Sequence, residues 1–322
     1  MNAFSYVTAR TPESAVELVH DEGRFLAGGM DLLGEMKESL VAPKTLVNVK
    51  ALPGLAEVRR DGAKWTVGAN VTLAVLAAHA ELRKSCPGLA EAAAEVGSPQ
   101  IRNVATVGGN LAQHSRCWYY RHRDVQCRKK GGSTCFARQG RSKYHSLFTG
   151  CMCLSPCVSN LAIALQALDA RVVVQRGSKP QTLTVPQLYA AAWKTPGVHN
   201  SLSADDLILR IELPAVAAGR STYVQIGEKS DFDWALVSCA AAARVDGQKL
   251  SGVRVVLGAV APIPWQVDEA NALLEGKPIT AELAGQAADA MLRDARPFAD
   301  NAYKLPIARA LIRRTLLKLV AT

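Results

Sequence analysis

The feature that most constrains this chain is an irregular, cysteine-rich segment near its middle. Between His114 and Pro156 the periodic spacing of apolar residues that marks helices and strands disappears. Six of the eight cysteines lie within 41 residues in and just after this stretch: Cys117, Cys127, Cys135, Cys151, Cys153 and Cys157. A structureless stretch of this length is unusual in a compact protein unless something ties it down. The sequence therefore predicts that the cysteines order this segment.

Positive charge is concentrated in the same segment. The chain carries a net charge of +10, and the residues between His114 and Gly150 contribute +8 of it, with Asp124 as the single acid there. The basic residues are Arg116, Arg121, Arg123, Arg128, Lys129, Lys130, Arg138, Arg141 and Lys143. Nucleic-acid binding is one interpretation, with Trp118, Tyr119 and Tyr120 as stacking platforms. The other interpretation is that this charge serves a local group within the segment.

Metal binding explains the cysteines better than disulfides do. The amino-terminal residues show no secretion signal, and a chain of 322 residues has little need of stapling. A [4Fe–4S] cluster needs four thiolates, which Cys117, Cys127, Cys135 and one of Cys151, Cys153 and Cys157 can supply. Such a cluster carries a charge of roughly −2 with its thiolates, which nearby arginines and lysines would offset. A four-cysteine zinc site is the alternative, although the paired C-x-x-C spacing typical of zinc is absent.

The rest of the chain alternates between helical and strand-like patterns. Its length fits two or three domains of α+β structure. Expected strands include 24–27, 45–49, 65–69, 171–175, 206–211, 236–245 and 253–260; expected helices include 72–78, 88–96, 161–168, 267–274, 279–293 and 306–320. The region 177–203 reads as loop-rich. No apolar run approaches the roughly 18 residues that a membrane span requires.

Two glycine pairs are candidates for a nucleotide site. Gly28-Gly29 and Gly108-Gly109 each follow a predicted strand. A glycine pair lets backbone N–H groups point into one concavity and lets a diphosphate approach closely. Neither pair fits the G-x-G-x-x-G fingerprint that opens a helix, so a Rossmann site is disfavoured.

Both glycine loops resemble those of a known family. The strings Phe25–Leu33 and Gln100–Leu111 resemble the two FAD-pyrophosphate loops of molybdenum hydroxylase flavoprotein subunits, the family of xanthine dehydrogenase and carbon monoxide dehydrogenase medium subunits. Gly227–Ser238, Gly258–Trp265 and Asp300–Lys304 are similar to its carboxy-terminal third. The resemblance implies an α+β chain with a vanillyl-alcohol-oxidase (PCMH-type) FAD-binding domain of two α/β subdomains over residues 1–217. A carboxy-terminal α+β domain like that of carbon monoxide dehydrogenase flavoproteins would follow over 218–322.

The resemblance also implies a set of FAD contacts. In the two loops these are Leu26, Ala27, Gly28, Gly29, Met30, Asp31, Leu32, Arg102, Thr106, Gly108, Gly109 and Asn110. The glycines and Asn110 would cradle the diphosphate through backbone groups. Lys229, Asp231 and Lys304 are weaker candidates at the ring or ribose. Met30 departs from the family, which usually has threonine there.

The cysteine-rich insertion, residues 114–157, has its own resemblance. Subunits of the periplasmic aldehyde oxidoreductase and 4-hydroxybenzoyl-CoA reductase types carry a [4Fe–4S] cluster in a similar insertion, and Arg116–Arg121 looks like the aldehyde oxidoreductase version. Alignment with that family makes Cys153 the fourth ligand beside Cys117, Cys127 and Cys135, with Cys151 and Cys157 as alternatives.

The function implied is electron relay within a heterotrimer. Aldehydes or aromatic N-heterocycles would be hydroxylated at a molybdenum cofactor on a large partner subunit. Electrons would pass through [2Fe–2S] clusters on a small partner to FAD on this chain and then to an external acceptor. His114, His122 and His145 show no carboxylate partner and are expected to be structural, so no catalytic residue is predicted.

Two rival functions and two locations are compatible with the same residues. One rival is a self-contained flavin oxidoreductase of the same fold. The other is a nucleic-acid-binding protein with a structural zinc insertion. The chain would be cytoplasmic, or periplasmic by co-export with a partner that carries the signal.

Overall fold

The computed structural model describes residues 1–20, 22–215, 219–247 and 249–321. The strands are β1 (Ser5–Thr8), β2 (Gly23–Leu26), β3 (Thr45–Asn48), β4 (Val58–Asp61), β5 (Lys64–Gly68), β6 (Arg171–Arg176), β7 (Lys179–Thr184), β8 (Leu207–Leu213), β9 (Gly219–Ile226), β10 (Val237–Asp246) and β11 (Lys249–Gly258). The helices are α1 (Pro12–Leu18), α2 (Leu32–Lys37), α3 (Leu73–Ala78), α4 (Ala80–Ser85), α5 (Pro87–Ala94), α6 (Pro99–Arg102), α7 (Val107–Ala112), α8 (Trp118–Arg121), α9 (Asn160–Ala167), α10 (Val185–Lys194), α11 (Asp268–Leu274), α12 (Ala281–Leu292) and α13 (Lys304–Val320). This mixed composition confirms the α+β expectation.

The amino-terminal subdomain is a small parallel sheet in the order β1-β3-β2. Thr11 caps α1 through its side chain, and Pro12 occupies the first helical position, where a missing N–H costs nothing. Ala15 and Val19 of this helix pack with Val47 of β3. Because the chain leaves the end of β2 through a tight loop before entering α2, the first glycine pair lies at the sheet edge.

The second subdomain is a five-stranded antiparallel sheet in the order β4-β5-β8-β6-β7. Leu73 of α3, Leu89 of α5 and Leu161 of α9 are fully buried in the core that these helices share with this sheet. Helix α7, which carries the second glycine pair, packs beside this core through Val107 and Leu111.

The carboxy-terminal domain is a three-stranded antiparallel sheet, β11-β10-β9, packed against α11, α12 and α13. Helix α13 buries Ala308, Leu311, Ile312, Leu316 and Leu319, the spacing of one helical face. The cysteine-rich insertion contributes to this core too. Leu147 is fully buried there, and Phe148 stacks on Trp265 with ring centroids 3.9 Å apart.

Two expectations about local structure are wrong. The second glycine pair begins a helix rather than ending a strand, because the Thr106 side chain caps α7. The region 177–203 contains β7 and α10. The solvent-facing side chains of β7 hid its strand pattern, while Thr184 and Gln187 form a capping box for α10.

The expected domain boundary at 217/218 lies within residues 216–218, outside the described residues. Among the helices of the described ranges, none has both the length and the apolarity that crossing a membrane requires.

Candidate functional site

A cleft of about 500 Å³ opens between the first glycine loop, α7 and the segment 198–208. Most of the predicted FAD contacts line it: Leu26, Ala27, Gly28, Gly29, Met30, Asp31, Leu32, Thr106, Gly108, Gly109 and Asn110. Arg102, Lys229, Asp231 and Lys304 are not among its lining residues. The structure thus brings both glycine loops into one concavity, of a volume typical for cofactor sites.

The first glycine loop, residues 27–31, requires its glycines. A Cβ on Gly28 would lie 2.2 Å from the carbonyl oxygen of Val104, a contact no side chain tolerates. Gly29 has a φ of +71°, which favours glycine. In the described part of the chain, the N–H groups of Gly28 and Gly29 donate to no protein acceptor. They are therefore available to an anionic ligand in the cleft.

The second glycine loop uses its amides differently. The Gly108 N–H donates to the Ala69 carbonyl at 2.8 Å, and the Gly109 N–H donates to Thr106 Oγ1 at 3.1 Å. Asn110 Oδ1 accepts a hydrogen bond from Ser159 Oγ at 2.7 Å. These groups line the cleft, and their predicted diphosphate contact stays a prediction. Of the two glycine pairs, only Gly28 and Gly29 have amides that donate to no acceptor among the described residues.

Asp31 connects the first loop to the cysteine-rich insertion. Its carboxylate lies 2.8 Å from Arg116 and 2.7 Å from Arg121, and it accepts the His114 N–H at 2.7 Å. Burial alone would raise the pKa of this carboxyl, but the two guanidinium groups hold it below its usual value. The carboxylate is thus committed to the insertion, which sequence analysis missed because the partners lie far away along the chain.

Glu35, at the base of the cleft, collects a second group of polar partners. It is 1% exposed and lies 2.9 Å from His114 Nδ1, while the Tyr120 hydroxyl donates to it at 2.8 Å. The His114 ring stacks on His199 with centroids 4.0 Å apart. The expectation that His114 lacks a carboxylate partner is therefore wrong. Burial raises the pKa of Tyr120 and lowers that of His199, so both rings are held neutral.

The aromatic side chains of the nucleic-acid interpretation contact other protein groups, including Trp118, whose ring centroid lies 5.4 Å from that of Tyr144. Tyr120 is buried against Glu35, and the Tyr119 ring packs on Phe136 at 5.9 Å. Arg116 and Arg121 point inward to Asp31. Part of the insertion's charge therefore serves internal carboxylates.

Arg102 has a structural role next to the cleft. Its guanidinium donates to the carbonyls of Val96 and Gly97 at 3.0 and 2.8 Å. It fixes the loop that contributes Val96 and Gly97 to the cleft lining. Its expected FAD contact stays a prediction, and in this structure its guanidinium contacts these two carbonyls.

The predicted contacts from the carboxy-terminal domain lie elsewhere. Lys304 is fully buried and donates to the carbonyls of His145 and Ala259 at 3.0 and 2.7 Å, and burial lowers its pKa to about 7. Lys229 and Asp231 are exposed. Trp234 of the same loop lines the cleft instead, with the Arg116 guanidinium 4.7 Å from its ring centroid. The sequence signal that could have identified Trp234 is its place within Gly227–Ser238, a string that resembles the family.

The four predicted cluster ligands line one small cavity inside the insertion, which we call the cysteine cavity: Cys117, Cys127, Cys135 and Cys153. Cys151 and Cys157 are not part of its lining. The Cys151 thiol donates to the Cys153 carbonyl at 3.1 Å, and Cys157 is buried in the core of the five-stranded sheet. In residues 1–20, 22–215, 219–247 and 249–321, no group of three or more His, Cys, Asp or Glu side chains is arranged to hold a metal ion.

Three side chains that carry nitrogen line the cysteine cavity: Arg128, Lys129 and His145. Lys129 is 7% exposed, and its Nζ donates to the Val198 carbonyl at 2.7 Å. Burial lowers the pKa of Lys129, while the neighbouring cysteines raise it. His145 Nε2 lies 3.1 Å from Cys117 Sγ. His145, which was expected to be structural, therefore forms part of the cavity wall. Burial raises the pKa of the Cys117 thiol to about 12, so a metal would have to displace its proton.

The cleft and the cysteine cavity are neighbours. Arg116 lines the cleft, and the next residue, Cys117, lines the cysteine cavity. Both residues also line a third cavity, of about 190 Å³, whose walls include Trp118 and Trp234. Successive Cα atoms are about 3.8 Å apart, so the linings of the two sites meet at these two residues.

Comparison with known proteins gives a consistent result along the chain. The family model for the FAD binding domain in molybdopterin dehydrogenase matches residues 2–216, and that for the CO dehydrogenase flavoprotein C-terminal domain matches residues 221–319. The aldehyde oxidoreductase FAD-binding subunit of Escherichia coli is 34% identical, with 100% of this chain and 98% of that protein covered. The carbon monoxide dehydrogenase medium chain of Hydrogenophaga pseudoflava is 25% identical, covering 97% and 96%.

The solved carbon monoxide dehydrogenase of Hydrogenophaga pseudoflava that lacks the Mo-pyranopterin moiety shares the fold. Its TM-score is 0.78 at 24% identity, with 99% of this chain and 98% of that chain covered.

Proposed function

The chain belongs to the family of FAD-binding subunits of molybdenum hydroxylases. We propose that it passes electrons from a partner subunit through FAD to an external acceptor in an aldehyde-oxidising complex, and that it holds an additional [4Fe–4S] cluster. Members of this family are FAD-dependent oxidoreductase subunits. In the proposed complex a large partner subunit holds the molybdenum cofactor and a small one holds [2Fe–2S] clusters. Electrons from the small partner reach the flavin and leave to an external acceptor.

One observation carries this proposal: consecutive residues line the two proposed cofactor sites. Arg116 belongs to the cleft, Cys117 to the cysteine cavity, and both to the cavity between them. Because the linings of the two sites meet at these residues, a flavin and a cluster bound there would occupy adjoining sites, as an electron-transfer subunit with both groups requires. Two unrelated binding sites would have no reason to share a wall.

The geometry of the first glycine loop suits the binding of FAD in the cleft. Gly28 and Gly29 provide free amides where a Cβ could not be accommodated, and this suits an approaching diphosphate. When bound, FAD supplies the redox chemistry, accepting and donating electrons. The chain's own residues bind and orient it: Asp31 holds the loop in place through Arg116 and Arg121.

The cysteines that line the cysteine cavity are the kind of ligand that a [4Fe–4S] cluster needs. Cys117, Cys127, Cys135 and Cys153 surround it, and four thiolates are what such a cluster requires. Lys129 offers a buried positive charge for the thiolates, and His145 offers a ring nitrogen to Cys117 Sγ. The insertion is also otherwise poor in regular structure, so a cluster would supply the order that secondary structure does not.

The aldehyde substrate class rests on the similarity to the Escherichia coli aldehyde oxidoreductase subunit. Substrate itself would bind at the molybdenum centre on the large partner. In the cleft of this chain, Asp31 pairs with two arginines, and Glu35 lies 2.9 Å from His114 Nδ1.

Replacing Gly28 tests the proposal. Gly28→Ala places a methyl group against the Val104 carbonyl, so we expect the complex to lose FAD. Gly34→Ala is the matched control, because a Cβ there meets nothing within 4 Å. The measurement is released FAD per complex, together with aldehyde turnover with an external acceptor. We expect Gly28→Ala to lower turnover by at least about tenfold, while added aldehyde still reduces the [2Fe–2S] clusters of the partner.

Full FAD content and turnover in Gly28→Ala would contradict this placement of the diphosphate. A complex with no molybdenum or [2Fe–2S] partner, purified gently through this chain, would contradict the proposed role itself.

A further inference from the structure

Lys129 stands out in the insertion because it is buried without a carboxylate partner. Its side chain is 7% exposed, and among the ion pairs of the described residues none includes it. Arg116 and Arg121, the other inward-facing cations, both reach Asp31. Burying a cation without a counter-ion costs several kcal/mol, so such a lysine calls for an anion that the protein's carboxylates do not provide.

The cysteine cavity is the place where a negative charge could balance Lys129. Lys129 lines this cavity together with Cys117, Cys127, Cys135 and Cys153. Thiolates binding an oxidised [4Fe–4S] cluster leave a net charge of roughly −2. One buried ammonium group beside that charge would offset part of it at short range, where solvent screening is weak.

The same ammonium group also contacts a residue that lines the flavin cleft. Lys129 Nζ donates to the carbonyl of Val198 at 2.7 Å. Val198 and His199 line the cleft, and the His199 ring stacks on His114. The ammonium group is therefore fixed between the cysteine cavity and a wall of the cleft, which prevents it from turning away to water.

We propose that Lys129 is a positioning residue for the cluster, whose fixed positive charge holds the cluster's reduction potential above the value that a neutral side chain would give. Reduction adds one negative charge to the cluster, and a nearby cation stabilises the reduced form more than the oxidised form. The proposal rests on the proposed function, because it requires a cluster in the cysteine cavity.

Lys130 provides a matched control with the same charge one residue away. Its Nζ donates to the His122 carbonyl at 2.6 Å on the exposed side of the insertion, and it does not line the cysteine cavity. Its charge is screened by solvent, so its loss has little influence on a buried cluster.

The test is an anaerobic redox titration of the intact complex followed by electron paramagnetic resonance. Lys129→Gln and Lys129→Met are compared with Lys130→Gln and the unaltered protein. We expect the cluster midpoint potential to fall in both Lys129 variants and to stay unchanged in Lys130→Gln. An unchanged midpoint in the Lys129 variants, or an equal fall in Lys130→Gln, would overturn the proposal.

Iron and sulfide assays separate this inference from the proposed function. An unaltered complex without iron and sulfide in this chain would remove the cluster itself, and the proposal with it. Where the neutral Lys129 variants fail to retain iron, Lys129→Arg decides the matter. Retention of the cluster by Lys129→Arg alone supports a role for the charge, and its loss from all three variants means that the lysine only fills space.

Discussion

The cysteine-rich insertion is attached to the rest of the chain in two different ways. Its first part, around Arg116–Arg121, holds the flavin loop through charges, with Asp31 at the centre. Its last part, around Leu147–Phe148, enters the apolar core of the carboxy-terminal domain. Ionic attachments respond to pH and salt, whereas apolar ones respond mainly to lost volume. The flavin side of the insertion is therefore the side that solution conditions can loosen.

Removing the apolar attachment should have the largest effect on stability. Phe148→Ala leaves a cavity beside Trp265, and we expect the free energy of unfolding to fall by about 3–5 kcal/mol. Phe136→Ala is the control in the same insertion, since Phe136 is 39% exposed and stacks on Tyr119, a contact worth about 1 kcal/mol. Denaturant unfolding measures both. Equal losses would show that Phe148 does not anchor the insertion.

Removing the ionic attachment should affect the flavin more than the fold. Asp31→Asn deprives Arg116 and Arg121 of their carboxylate, and we expect FAD affinity to fall roughly thirtyfold, or about 2 kcal/mol. Asp124→Asn, which removes the exposed pair with Arg123, should change affinity by less than about 1 kcal/mol. Titration of the apo-protein with FAD measures the difference.

The same carboxylate should make FAD binding sensitive to acid. The folded pKa of Asp31 is lowered, so its stabilising contribution is complete above the unfolded value of 3.8 and disappears as pH falls through the folded value. Asp31→Asn should remove this dependence. Identical acid profiles in the two proteins would mean that Asp31 does not control the flavin loop.

Lys304, at the junction with the carboxy-terminal domain, should make stability depend on pH above neutrality. Its pKa is lowered to about 7 by burial, against 10.5 for the unfolded chain, so the unfolded state binds the extra proton between these values. Stability should therefore rise from pH 7 towards pH 10, by at most about 1.4 kcal/mol per unit. Lys304→Met should flatten this slope in melting curves recorded across the range. A slope that persists in Lys304→Met would assign it to other groups.

Local sequence patterns predicted most of the helices and strands and the two glycine loops. They could not predict contacts between residues that are distant along the chain. Helix α13 was expected at 306–320 and spans Lys304–Val320, because its apolar spacing is regular. The commitment of Asp31 to Arg121 could not be predicted, since the two residues are 90 positions apart. The burial of Lys304 was missed for a related reason. A charged side chain is normally expected to be exposed, whereas here two distant carbonyls accept its hydrogen bonds.

The most direct test of the proposed relay is the cofactor content of the intact complex and of two cysteine variants. We predict one FAD per chain, with about four irons and four acid-labile sulfides that belong to this subunit. Cys153→Ala should lose that iron, because Cys153 lines the cysteine cavity, whereas Cys151→Ala should keep it. Zinc in place of iron, or equal iron in both variants and the unaltered chain, would contradict a [4Fe–4S] cluster held by these four cysteines.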